Sequence, residues 1–163
     1  MTSRILVAGI GNIFLGDDGF GPEVVRRMYG RFTDADAVRV VDYGIRGMHL
    51  AYDLLDGWDG LIIVDAVPNR GSPGSVRVFE IDHESLGSTT ALDAHGMDPG
   101  AVFASLHALD GTPPRTIVVG CEVADIQDGI GLSATVGAAV QDAAQAVEAA
   151  VTMLRYADTV REG

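Results

Sequence analysis

Lysine is absent from this chain of 163 residues, and all 11 of its basic residues are arginine. That absence excludes Schiff-base catalysis on a lysine, a serine–lysine dyad and a lysine-bearing phosphate loop. Cysteine is nearly absent. Cys121 stands alone, so there is no internal disulfide and no thiolate cluster for zinc or iron–sulfur. It ends a strand-like run, 116–121, and reads as a small buried hydrophobe rather than a nucleophile. Positive charge is scarce, because 23 acidic residues leave the net charge at −12. A chain of that sign repels phosphate backbones and anionic lipid surfaces. Neither nucleic acid nor a membrane is expected as a partner. Long apolar runs are missing as well; 61–64 and 117–119 fall far short of a bilayer's thickness. Met1-Thr2-Ser3-Arg4 leads straight into strand-like residues without a secretory signal, so the expected compartment is the cytoplasm.

What is present suits one folded domain over 1–163. Apolar residues make up 47% and charged residues 21%, enough for a core and against disorder. Residues 4–9 read as a buried strand, followed by a glycine-rich loop over 9–19. Gly21-Pro22-Glu23 opens a helix that stops near Gly30, since proline and an acid both suit a first turn. A second strand, 38–41, closes at Asp42-Tyr43-Gly44. A second helix runs from Met48 to about Gly57, and a third strand, 61–64, ends at Asp65. Continuous apolar strands alternating with helices predict a parallel sheet covered on both faces.

The second half continues the pattern. A turn at 69–74 precedes a half-exposed edge strand over 76–81. The stretch 82–99 reads as a long surface loop with room for one helical turn. A helix over 98–109, a fifth strand over 116–121 and a long final helix complete the chain. Leu132, Val136, Val140, Ala143, Val147, Val151 and Leu154 draw the apolar stripe of that helix, and Ser133 is its expected N-cap. The expected fold class is α/β, with three α/β/α layers around a twisted, mostly parallel sheet of about five strands.

Chemistry is concentrated in few places. Gly9-Ile10-Gly11 starts like a dinucleotide fingerprint, but Phe14 stands where the third glycine should be. Asp17 and Asp18 would also repel a pyrophosphate in that loop. Capping a helix needs one aspartate, and the loop supplies two, at a carboxyl edge where open α/β sheets bind ligands. Asp65 ends a parallel strand and so belongs to the same rim; a turn-forming aspartate is an equal reading of it. His95 lies between Ala94 and Gly96 in the long loop, where small neighbours would let it reach that rim; a solvated surface histidine is the ordinary reading. His49, His83 and His107 carry no functional weight. Two carboxylates and one imidazole suit a divalent cation of borderline hardness, such as nickel or zinc, and leave positions open for substrate.

Taken together, these segments resemble a known family. Ile5-Leu6-Val7-Ala8-Gly9-Ile10-Gly11-Asn12 and Asp17-Asp18-Gly19-Phe20-Gly21 resemble the opening motif of the hydrogenase maturation endopeptidases. Leu61-Ile62-Ile63-Val64-Asp65-Ala66 is similar to their second motif, and Asp93-Ala94-His95-Gly96-Met97 to their histidine loop. Gly120-Cys121-Glu122 and Gly129-Ile130-Gly131-Leu132-Ser133 resemble their C-terminal portion. The resemblance implies an aspartic-type endopeptidase that removes the C-terminal extension from the precursor of a nickel–iron hydrogenase large subunit. It implies that nickel comes with the precursor and is bound by Asp18, Asp65 and His95, which also carry the catalysis. Asp42-Tyr43-Gly44 is similar to the family's recognition segment, which gives Asp42 and Gly44 a role toward the precursor. Ile45 stands where many members have a hydroxyl residue. Two other functions fit some of the same residues: a nickel-sensing chaperone that does not cut, and a nucleotide-binding oxidoreductase.

Overall fold

Residues 3–86 and 99–162 are described in the computed structural model. The first strand, β1, is Ile5–Ile10, and all six residues are buried. A strand with no polar face must be covered on both sides. It leads through a 3-10 turn, Gly16–Gly19, into α1, Phe20–Met28. The chain then forms β2, Val38–Gly44, α2, Gly47–Asp53, and β3, Gly60–Val67. Next come β4, Val76–Glu80, a four-residue helix α3, His83–Leu86, and α4, Pro99–Ala108. The last elements are β5, Arg115–Glu122, α5, Ala134–Gly137, and α6, Val140–Glu162.

The five strands form one sheet in the order β2-β1-β3-β5-β4. The first four run parallel; β4 lies antiparallel along β5 at the edge. This is the three-layer α/β/α fold expected from the sequence. Strand alternation divides the core in two. Ile5, Val7, Ile62, Val64, Ile117 and Val119 face one side, packed with Val24, Val25 and Met28 of α1 and Val140, Val147 and Leu154 of α6. Leu6, Ala8, Leu61, Ile63 and Val118 face the other, packed with Leu50 and Ala51 of α2 and Val102 and Leu106 of α4. Among the described residues no helix is long and apolar enough to cross a membrane.

Three boundaries differ from the sequence reading. Asp65 does not end its strand: Ala66 and Val67 continue pairing with Cys121 and Glu122 of β5. The second strand runs on through Asp42 to Gly44, because Asp42 pairs with Gly9 and Gly44 with Ile10. The final helix is interrupted. Ser133 caps α5, accepting from the Val136 N–H at 3.3 Å, but the chain tightens after Gly137. There the Ala139 N–H bonds to the Val136 carbonyl three residues back. Gly137 has the weakest helix preference among its neighbours, and α6 restarts at Val140.

Candidate functional site

The connections place the site. From β1 the chain crosses to β2 on one side, with α1 on one face. It then returns past β1 to β3, with α2 on the other face. The carboxyl ends of β1 and β3 therefore flank a topological switch point, the place where open α/β sheets form a ligand crevice. Gly9 is in register with Val64, so Asp65 lies just beyond, alongside the end of β1. Asp18 sits in the 3-10 turn that follows β1. Both predicted carboxylates thus belong to the mouth of one crevice.

Two glycines make that crevice possible. Gly11 has φ of 142°, and a Cβ there would stand 2.0 Å from the Asp18 carbonyl oxygen. Only a residue without a side chain lets the turn fold back so closely. At Gly21 a Cβ would meet the Val64 oxygen at 2.2 Å and the Ile10 oxygen at 2.4 Å. The start of α1 is therefore pressed into the gap between the ends of β1 and β3. The close helix–strand approach that a dinucleotide fingerprint makes with its third glycine occurs here, but at Gly21 rather than at position 14.

The two neighbouring aspartates do different work. Asp17 is fully buried, and its carboxylate accepts from the N–H groups of Ala124 at 2.9 Å, Asp125 at 2.8 Å and Ser133 at 2.7 Å. It also accepts from the Ser133 hydroxyl at 3.0 Å. Burial pushes its pKa up, but the hydrogen bonds from Ser133, Asp125 and Ala124 outweigh burial and hold it below the ordinary aspartate value. Asp17 therefore ties the first loop to the segment after β5. Asp18 is also withdrawn from solvent, and its Oδ2 accepts from the Asn12 N–H at 2.8 Å. Asp65 is 7% exposed. The sequence reading expects these groups on an open rim; the structure buries both.

The proposed recognition segment borders the same crevice. The Asp42 Oδ1 accepts from the Gly44 N–H at 2.9 Å, closing a turn with Gly44 at φ of 57°. The Gly44 carbonyl in turn accepts from the Gly11 N–H at 2.9 Å. Asp42 therefore stabilises its own turn rather than capping α2, which begins after Arg46 without a side-chain cap. Ile45, next in the chain, is solvent-facing.

His95 lies outside the described residues. Among the described residues no group of three His, Cys, Asp or Glu side chains is placed to hold a metal. Cys121 is fully buried, and burial followed by the charges of Asp17 and Glu122 raises its thiol to about 11, so it is no nucleophile. Glu122 beside it is buried and accepts from the Arg70 and Ser72 N–H groups and from the Arg77 guanidinium. It fastens the 70–75 turn and the β4 edge to the sheet. The sequence reading gave Glu122 no such role and left Asp17 between a helix cap and the lesser member of a ligand pair.

A family model described as hydrogenase maturation protease matches residues 22–150. The chain belongs to the hydrogenase maturation protease family. It is 32% identical over 149 residues to the hydrogenase 2 maturation protease of Escherichia coli K12, covering 91% of this chain and 90% of that one. It is 31% identical over 156 residues to a putative hydrogenase maturation protease of Methanocaldococcus jannaschii, covering 92% and 93%. The solved hydrogenase maturating endopeptidase HybD of Escherichia coli superposes with a TM-score of 0.74 at 30% identity, covering 92% and 93%. A nickel–iron hydrogenase maturation protease HybD from Thermococcus kodakarensis superposes at 0.70 and 26%, covering 91% and 99%. A hydrogenase maturation protease built this way carries its two carboxylates at the switch point of the sheet.

Proposed function

We propose that this protein is the endopeptidase that trims the C-terminal extension from the nickel-loaded precursor of a nickel–iron hydrogenase large subunit. One observation supports this above the others: Asp18 and Asp65 flank a single crevice, although 47 residues separate them in the chain. In this reading nickel arrives as part of the substrate, held by the precursor. Asp18, Asp65 and His95 complete its coordination, an oxygen-oxygen-nitrogen set suited to a borderline divalent cation. Asp42 and Gly44 form the wall against which the precursor is recognised.

The chemistry follows from placement. Docking the nickel fixes the scissile peptide bond over the crevice and turns an encounter into a positioned reaction. A carboxylate of the site takes a proton from water, and the resulting hydroxide attacks the carbonyl polarised by the nickel. The C–N bond breaks, and the proton returns to the leaving amine. Cleavage then occurs only where nickel has been inserted, so the reaction inspects the metal centre before committing the subunit.

The deciding measurement incubates the protein with nickel-replete and nickel-free precursor and weighs the products by mass spectrometry. Shortening of the nickel-replete precursor alone is the expected result. Binding without shortening would make the protein a nickel-sensing chaperone; trimming of both forms would remove nickel from the recognition step. Asp18→Asn, Asp65→Asn and His95→Ala should each lower the trimming rate by about 100-fold or more. Unchanged circular dichroism would show that chemistry rather than folding is lost, and near-normal trimming by any of the three would remove that residue from the site.

A further inference from the structure

A second concavity opens behind the acidic turn. It has a volume of about 300 Å³ and lies between one side of α1 and the segment 130–137. Gly16 and Gly19, the two ends of the turn that carries Asp18, form part of its wall. Its apolar lining is Ile13, Ile130 and Leu132, and its charged lining is Glu23, Arg26 and Arg27.

The apolar part is presented rather than merely left over. Ile130 is 77% exposed and Ile13 40% exposed. The loop carrying Ile130 is fastened in place: the Gly16 N–H donates to the Gly129 carbonyl at 2.9 Å, and the Gly129 N–H to the Phe14 carbonyl at 2.8 Å. The Asp17 N–H donates to the Asp125 carbonyl at 2.8 Å. A held loop of this kind offers an apolar side chain of a partner a fixed surface to cover.

The charged part is a local reversal of sign. Glu23 is the one carboxylate of the lining, reached by Arg26 at 3.5 Å and Arg27 at 3.3 Å. Both arginines are more than half exposed, so these pairings hold little energy and yield readily to a better acceptor. Two guanidinium groups against one carboxylate leave a positive excess, on a chain whose net charge is −12. The volume lies at the small end of ligand pockets, which suits the end of a peptide rather than a run of chain. A peptide end brings its own carboxylate, and guanidinium forks are the side chains that match carboxylate geometry.

We infer that this groove holds the carboxyl-terminal end of the precursor's extension, with an apolar side chain against Ile13 and Ile130 and the terminal carboxylate on Arg26 and Arg27. The inference rests on the trimming activity proposed above, because it supplies that reaction with a grip on the part to be removed. Its test needs binding and no cleavage. A synthetic peptide copying the extension of the cognate precursor is labelled with fluorescein at its N-terminus. It is titrated with the full chain and read by fluorescence anisotropy, once as the free acid and once as the C-terminal amide. Wild type should bind the free acid at least tenfold more tightly than the amide. Arg26→Gln/Arg27→Gln should bind both peptides alike, at the wild-type level for the amide. Ile130→Ser should weaken both peptides in equal proportion. Equal binding of acid and amide by wild type, a double variant that still prefers the acid, or no binding at all would overturn the inference. Failure of the trimming assay with this acid preference intact would strike the proposed reaction and leave the groove standing.

Discussion

At the scale of the residue, the pair Asp17–Asp18 shows how adjacent identical side chains acquire different duties. Asp17 has four protein donors and a lowered pKa, while the Oδ2 of Asp18 accepts from the Asn12 N–H within its own loop. Asp17→Asn turns one acceptor oxygen into an N–H₂ group aimed at other donors. That loses charge-assisted hydrogen bonds and should cost about 3 kcal/mol of stability near neutral pH, measured by urea unfolding. The sign with pH is fixed by the direction of the shift. The folded Asp17 has a pKa below the unfolded value of about 3.9, so its contribution is fully present above that value. It is lost as pH falls through the folded pKa. The stability gap between wild type and Asp17→Asn should therefore be constant from pH 7 to pH 5 and shrink below about pH 4. A gap that widened with acid would mean that Asp17 is held protonated in the fold. From the sequence Asp17 reads as a helix cap or as half of a ligand pair, and its structural role is not visible there. Its partners, Ala124, Asp125 and Ser133, are more than 100 positions away, and no local pattern announces them.

At the scale of the element, the strands and the first two helices could be read from the chain because each obeys a local rule. Six unbroken apolar residues make β1, and Pro22 with Glu23 marks the first turn of α1. What escaped was set by neighbours. Asp65 looked like the end of a strand because it follows four apolar residues, yet β5 extends β3 past it by offering Cys121 and Glu122 as partners. The break between α5 and α6 escaped too, since the apolar stripe runs through both and only the backbone bond from Ala139 to Val136 records the tightening. Gly21 is the element-scale feature with the sharpest consequence. Gly21→Ala puts a methyl group within 2.4 Å of the Val64 and Ile10 carbonyl oxygens, and both belong to strand backbone that cannot swing away. We expect a loss of about 3 kcal/mol or more, seen as a fall in melting temperature. Trimming activity should suffer even in the folded fraction, because α1 must back away from the crevice. A Gly21→Ala protein with wild-type melting and trimming would show that the helix start does not set the crevice.

At the scale of the whole molecule, the fold puts its two carboxylates together by topology alone. Any βαβ chain that crosses to one side of β1 and then to the other creates a crevice between β1 and β3; Asp18 follows β1, and Asp65 lies in β3 level with the end of β1. Strand order could be anticipated from the sequence, while the burial of Asp18 and Asp65 could not, because burial depends on contacts between residues distant in the chain. Charge is the other whole-molecule property. Acids outnumber arginines 23 to 11, and the mutual repulsion of that surplus works against compactness. Pairs such as Arg31–Glu148 and Arg115–Glu80 pull the other way. Salt weakens both kinds of interaction, so the response of the fold to salt reports which is larger. The surplus of acids decides in favour of repulsion, and raising sodium chloride from about 0.02 M to 0.5 M should raise the melting temperature by about 3 °C, equivalent to about 1 kcal/mol for a chain of this size. Chloride is the right anion, since sulfate would also strengthen apolar burial. The same salt should weaken binding of the free-acid peptide to Arg26 and Arg27 and leave the amide unaffected. Added salt would then stabilise the protein while loosening its hold on the extension, two opposite trends from one screening effect. A melting temperature that fell with salt would mean that the ion pairs, and not the acidic surplus, govern the electrostatics of this fold.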